Sequence, residues 1–394
     1  MLISLSLIIL TGFALKGIFQ KLKLPGLLGM LLAGILLGPF VLDLIAPEIL
    51  GISADLRKIA LIVILVRAGL AIDLKDLKKV GRPAVLMCFL PATFEIAGVM
   101  LLAPPLLGIT LLEAALLGSV LGAVSPAVIV PRMLHLMESG KGQEHRIPQL
   151  IMAGASVDDI FCITVFTALM GLQSSQAADL AATAFRLPVA ILLGLASGIL
   201  LGWLLVRIFK AIHMRDTVKV LIILGTSFCL VGVEDLINSI VPFSGTLAVM
   251  ALGGTILKAY EHLAKRITGK FSKIWVAAEL LLFVLLGAAV DVRYAAGAGL
   301  MVVAVILGAL LLRSAGVLLS LLRSPLSARE RLFCVVAYLP KATVQAAIGA
   351  LPLAAGISAG NTILTAAVLA ILITAPLGAV GIDQLSDRLL VNKY

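Results

Sequence analysis

Apolar runs of about twenty residues follow one another along almost the whole chain, separated by short charged or Pro/Gly-containing breaks. A helix rises about 1.5 Å per residue, so about 20 apolar residues cross the roughly 30 Å hydrocarbon core of a bilayer. Such a chain cannot hide its apolar surface in a water-soluble core. Only 13% of the 394 residues are charged, where soluble domains carry about a quarter. No polar linker separates any part, so the pattern predicts a single all-α membrane unit. The runs place thirteen spans at about residues 2–17, 24–42, 54–72, 83–103, 110–134, 147–172, 187–209, 218–233, 240–256, 274–290, 299–322, 332–355 and 363–382. The first run has no basic segment before it and reads as a span rather than a cleaved signal.

The positive charge follows these spans. Of the 31 lysines and arginines, 24 lie in odd-to-even loops or the C-terminal tail. Four lie in the opposite loops (Arg57, Lys58, Arg186, Arg293) and three within spans (Arg67, Arg313, Lys341). The alternation supports the count of thirteen and predicts an outside N-terminus and a cytoplasmic C-terminus. The net charge of +10 is therefore topological. It suits anionic lipid headgroups and gives no reason to expect nucleic acid. Cys88, Cys162, Cys229 and Cys334 sit in apolar stretches without metal spacing, and read as buried thiols rather than disulfides or zinc ligands.

The chain repeats itself at an offset near 215 residues. Gly69-Leu-Ala-Ile-Asp73 matches Gly287-Ala-Ala-Val-Asp291 at offset 218, and Glu95 aligns with Arg313 at the same offset. Pro126-x-x-x-Val130 matches Pro340-x-x-x-Val344 at offset 214. Spans one to six would recur as eight to thirteen with span seven as the link. An odd shift in span number inverts the second copy, a building plan of secondary transporters whose site lies where broken helices meet at the midplane.

Charged residues deep in spans are costly and mark function. Asp158 and Asp159 are adjacent near the centre of span six, and point about 100° apart on a helix. Ser156 shares a face with Asp159 and offers another oxygen, a ligand set suited to a hard monovalent cation. A site that holds either protons or a cation couples their fluxes. Pro126 and Pro340 would break spans five and twelve, freeing carbonyls at Gly122 and Val336, with Ser125 and Thr343 adding side-chain oxygens. Lys341 would offset the negative ends of half-helices, pair with the acids, or snorkel to the interface. Glu95 and Arg313 are expected to pair, with an Arg313–Asp158 pair as the alternative. Arg67 and Glu279 form a candidate pair nearer the cytoplasm, and His135, His145, His213 and His262 read as solvated loop residues.

Three of these stretches, GASVDDI (154–160), LGAVSPAVIVPRML (121–134) and LPKATVQAAIG (339–349), resemble the NHA branch of the cation–proton antiporter superfamily. LPGLLGMLLAGILLGP (24–39) resembles the superfamily's second helix more loosely. The resemblance covers nearly the whole chain. It implies a homodimer exchanging Na⁺ or Li⁺ for H⁺ by an elevator-like movement, with those ions as cargo and no cofactor or catalysis. Spans one to three and eight to ten, about residues 1–80 and 216–295, would form a dimer scaffold. Residues 81–175 and 296–394 would form a moving core, and 176–215 the linking helix. Asp159 would bind the ion, Asp158 would support it, and Arg313 would stand where electrogenic bacterial relatives carry lysine. Electroneutral relatives have Asn-Asp where this chain has Asp158-Asp159. A K⁺/H⁺ antiporter or a Na⁺-coupled organic anion symporter of the same fold are the alternatives. An aspartyl protease needs carboxylates facing one another, which adjacent acids on one helix do not do; a channel would conduct without saturable counter-transport.

Overall fold

The computed structural model describes residues 1–71, 81–174, 180–237 and 241–390. Its described residues contain helices and no strand. Among the described residues, nine helical segments are long and apolar enough to cross a membrane, from Leu2–Lys21 to Gly360–Leu389. Gly26–Leu37, Gly245–Ala259 and Thr343–Ala354 are shorter apolar helices. The described residues divide into two compact units.

One unit comprises residues 1–54, 73–162 and 282–394. It opens with α1 (Leu2–Lys21) and α2 (Gly26–Leu37), then the short α3 (Pro47–Gly51). The other unit, residues 55–72 and 163–281, holds most of α4 (Ser53–Ala71). Span four is where the structure departs from the sequence reading. Instead of one helix it forms α5 (Arg82–Met87) and α6 (Leu90–Leu107), parted at Cys88–Phe89. Pro91 has no N–H to give the Met87 carbonyl, so the ladder opens there, and that carbonyl accepts the Tyr338 hydroxyl at 3.5 Å instead.

Span five is broken as expected. A capping box of Thr110 and Glu113 starts α7 (Leu111–Leu121), residues 122–125 unwind, and Pro126 opens α8 (Pro126–Glu138) at a first-turn position that needs no N–H. Then come α9 (Ile147–Ser174), α10 (Leu180–Ala211), α11 (Asp216–Ile237), α12 (Gly245–Ala259), α13 (Glu261–Ala288) and α14 (Val292–Ser320). Asp291 of the second Gly-x-x-[Ile/Val]-Asp motif caps α14, accepting from the amides of Arg293 and Tyr294; its partner in the repeat, Asp73, lies outside the described residues.

The second break is less regular. After α15 (Ala328–Ala337) the backbone stays unwound past Pro340 to Ala342, where α16 (Thr343–Ile348) begins. A second interruption at Gly349–Ala350 precedes α17 (Leu351–Ala354), before the long α18 (Gly360–Leu389). The two breaks meet: the Ser125 amide donates to the Pro340 carbonyl at 2.8 Å, and the hydroxyls of Ser125 and Thr343 stand 3.5 Å apart.

Small residues set the level of the site. A Cβ on Gly98 of α6 would stand 3.2 Å from the Ala309 Cα of α14, and one on Gly316 only 2.9 Å from the Pro91 Cα. Without side chains the two backbones close up, as membrane helices do where small residues face each other. Each glycine lies one turn beyond the charged residue on its own helix, Glu95 and Arg313 respectively, so the close approach brings those side chains together.

Candidate ion-binding site

Five ionisable side chains converge beside the crossing of the two breaks: Glu95 on α6, Asp158 and Asp159 on α9, Arg313 on α14, and Lys341 in the unwound stretch after α15. Glu95, Asp158, Arg313 and Lys341 are fully buried. Arg313 binds both of the acids offered as its alternatives. One terminal nitrogen donates to Glu95 Oε2 at 2.9 Å and the other to Asp158 Oδ2 at 3.0 Å. Its Nε donates to the Tyr338 carbonyl at 2.8 Å, and Nη1 also reaches the Gly122 carbonyl. Gly122 is the residue whose carbonyl proline was expected to free, so the break supplies an acceptor and Arg313 takes it.

Lys341 does not snorkel. Its Nζ donates to Glu95 Oε2 at 2.8 Å and to the Leu121 carbonyl at 2.5 Å, while its amide donates to Thr374 Oγ1 of α18 at 2.9 Å. It therefore pairs with Glu95 and offsets the negative carbonyl end of α7, rather than meeting the aspartates directly. The Val124 amide, exposed by the unwinding after α7, donates to Asp158 Oδ2 at 2.9 Å.

Gln345 is a residue the sequence reading passed over. Its side-chain nitrogen donates to the carbonyls of Val120, Leu121 and Ala123 at 3.0, 3.4 and 2.9 Å. With Arg313 on Gly122 and Lys341 on Leu121, side chains from the second half of the chain satisfy all four carbonyls across the end of α7. That is how an unwound helix end survives without water. A fully buried amide in an apolar span, one turn after Lys341, was the available signal. Tyr338 was also missed: its ring lies 5.5 Å from the Arg313 guanidinium carbon, and Gly154 of α9 leaves room for its hydroxyl.

Asp159 differs from the other four. It is half-buried and takes part in no ion pair among the described residues; its Oδ1 has no hydrogen-bond partner there, a state shared by Glu95 Oε1 and Asp158 Oδ1. Three carboxylates meet two cations, the paired groups account for both cations, and Asp159 is the acid left over. The side chain of Ser156 lies outside the described residues. Pro126 and Pro340 line the breaks as described, and Glu279 lies within electrostatic reach of Arg67 in the second unit.

Two further expectations are altered. Cys88, Cys162 and Cys334 are buried, but Cys229 faces outward from α11. His135, His213 and His262 are exposed, whereas His145 is bonded to the buried Glu330, because the loop before α9 folds back onto the start of α15.

Residues 5–386 match the family described as the transmembrane sodium/hydrogen exchanger. The chain belongs to the sodium/hydrogen exchanger family. It is accordingly an integral, multi-pass membrane transporter and not an enzyme. Among curated members, sodium/hydrogen exchanger 9B2 of Mus musculus is 36% identical over 97% of this chain and 72% of its own length. The Homo sapiens 9B2 protein is 36% identical over 93% and 70%, and the Homo sapiens 9B1 protein 34% identical over 94% and 73%. The solved sodium proton antiporter MjNhaP1 of Methanocaldococcus jannaschii superposes with a TM-score of 0.84 at 23% identity, covering 98% of this chain and 97% of its own. That likeness gives this exchanger the antiporter fold.

Proposed function

We propose that this exchanger carries Na⁺, with Li⁺ as a second cargo, against H⁺, and that proton and cation compete for Asp159. The observation that carries the reading is the unequal pairing of the acids. Asp158 is tied to Arg313 and to the Val124 amide, while Asp159 is half-buried and takes part in no ion pair among the described residues. One proton or one monovalent cation neutralises the cluster, and the two cannot bind together without leaving surplus charge in a medium that penalises it. Asp158 and the backbone it holds shape the site; Ser125 and Thr343 offer hydroxyls for a partly dehydrated ion, with Ser156 added on the sequence reading alone.

The frame proposed for this chemistry is thirteen spans in two inverted six-span repeats. The nine long helical segments, three shorter apolar helices and α4 support that count. The paired breaks and the Glu95–Arg313 contact between repeat-equivalent positions support the inversion. The core of residues 81–175 and 296–394 would move elevator-like against a dimeric scaffold of 1–80 and 216–295, with lipid headgroups meeting the basic cytoplasmic loops and the N-terminus outside.

Purified protein in liposomes with a trapped pH dye tests the assignment. Na⁺ and Li⁺ are expected to change the internal pH, and Asp159→Asn to abolish the response while the protein still elutes as a folded species. Normal exchange by Asp159→Asn would falsify the site. A response to K⁺ alone would move the chain to the potassium alternative.

A further inference from the structure

Both broken helices begin with the same device. At the start of α7 the Thr110 hydroxyl accepts from the Glu113 amide at 3.3 Å, while Glu113 Oε2 accepts from the Thr110 amide at 2.9 Å. At the start of α15, Ser327 and Glu330 repeat the exchange at 3.3 and 2.7 Å. The two boxes lie 217 residues apart, within the spacing of the repeat. In each box the second glutamate oxygen reaches the residue two positions ahead of the long helix that follows the other break. Glu113 Oε1 accepts from the Ser358 hydroxyl, and from the Ala359 amide at 3.1 Å, just before α18. Glu330 Oε1 meets His145 Nδ1 at 2.9 Å, just before α9. Each broken helix is thus tied to the long helix that follows the other one, through a hydroxyl in one case and an imidazole in the other.

We propose that the His145–Glu330 contact is a proton-operated latch on the cytoplasmic side of the core, and that Glu113–Ser358 is its pH-independent counterpart on the outer side. The sidedness and the effect on exchange rest on the antiport reading above. Glu330 is 2% exposed and His145 25%, so the imidazole meets water while the carboxylate is shielded. Burial acts to raise the Glu330 carboxyl, but the hydrogen bonds from His145 and from the Ser327 amide and hydroxyl outweigh it and hold the group below the usual carboxylate range. A depressed carboxyl stays ionised across pH 5–8, and its contribution is lost only in stronger acid. Imidazoles, by contrast, change charge within that window. The contact is therefore a charge-assisted bond at its acid end and a weaker neutral one at its alkaline end. Other charged or titratable groups on the surrounding elements are Glu144 and Arg146 in the loop, Lys141 bound to Asp387, Arg132 bound to Asp383, His135 and Glu138 on α8, Arg388 on α18, and Arg329, Arg331 and Cys334 on α15. Glu330 is the one hydrogen-bonded to the ring. Because α9 leads to Asp158 and α15 to the Tyr338 carbonyl and Lys341, a closed latch holds the acid-bearing and cation-bearing elements in register. Exchange is then supported in an acidified cytoplasm and falls as that side turns alkaline.

Amide deuterium exchange on the full purified chain reads the latch without transport. After correction for the intrinsic pH dependence of exchange, protection over residues 141–150 and 327–334 is expected to drop about fivefold from pH 6 to pH 8 in the wild type. His145→Gln, which keeps a neutral donor, should flatten that drop and flatten the cytoplasmic pH profile of exchange in liposomes. Protection over 110–116 and 356–362 should stay level with pH, and Ser358→His should make it fall. Wild-type protection at 327–334 that is level with pH, or that drops equally in His145→Gln, would overturn the latch. Loss of Na⁺-driven proton movement with the protection pattern intact would overturn the antiport reading and leave the latch standing.

Discussion

Arg313 holds Glu95, Asp158, the Gly122 carbonyl and the Tyr338 carbonyl at once, and Lys341 holds Glu95 from the other side. This sharing changes what a charge-reversal experiment should give. If Glu95 and Arg313 were an isolated pair, exchanging them would restore stability. Here Glu95→Arg with Arg313→Glu sets an arginine against Lys341 and a glutamate against Asp158. The double variant is expected to melt no higher than either single variant, each of which loses about 3–5 kcal/mol by breaking a buried pair. A melting series in detergent decides it. Gln345→Leu strips the donors from Val120 and Ala123 and should cost about 1–3 kcal/mol for each buried carbonyl left unsatisfied, measured the same way. The convergence of Asp158, Glu95 and Arg313 in the interior was legible in the sequence, because charge at mid-span must find partners. The backbone partners were not. Lys341 and Gln345 reach carbonyls more than 200 residues away along the chain, and spacing carries no information about which oxygens an unwound turn presents.

At the level of the helices, proline announced two breaks and concealed a third. Pro126 and Pro340 stand deep within apolar runs, where a missing N–H has no other outlet. Pro91 lies as far into its run as Pro340 does, eight residues from the start, but no repeat match drew attention to it, so the parting of α5 from α6 came from the structure alone. The breaks also differ in form: Pro126 begins the second half of its helix, whereas Pro340 lies within the unwound stretch. Helix approach gives the prediction at this scale. Gly316→Leu places a branched side chain where even a Cβ would meet Pro91 and Leu90, and should cost at least the roughly 1–3 kcal/mol of an overpacked core. Gly269→Ala, on an exposed stretch of α13 with nothing within 4 Å, should instead stabilise by about 0.5–1 kcal/mol. Comparing the two melting temperatures separates crowding from helix propensity.

Over the whole molecule, the proposed site has a consequence for charge movement. If Na⁺ and H⁺ compete for Asp159 as proposed, then with Asp158 neutralised by Arg313 and Glu95 by Lys341 the cluster loaded with either ion would carry no surplus charge across the membrane. Exchange in liposomes is therefore expected to run at the same rate whether the potential is clamped at zero or at 100 mV, and a systematic dependence on potential would contradict one-for-one exchange. Work of about 2.3 kcal/mol per charge per 100 mV is then neither required nor gained. The guanidinium bridge thus has a thermodynamic meaning. A cell using this protein could not convert its membrane voltage into a sodium gradient; at rest the sodium ratio would equal the proton ratio, and either gradient, reversed, would drive the other backwards.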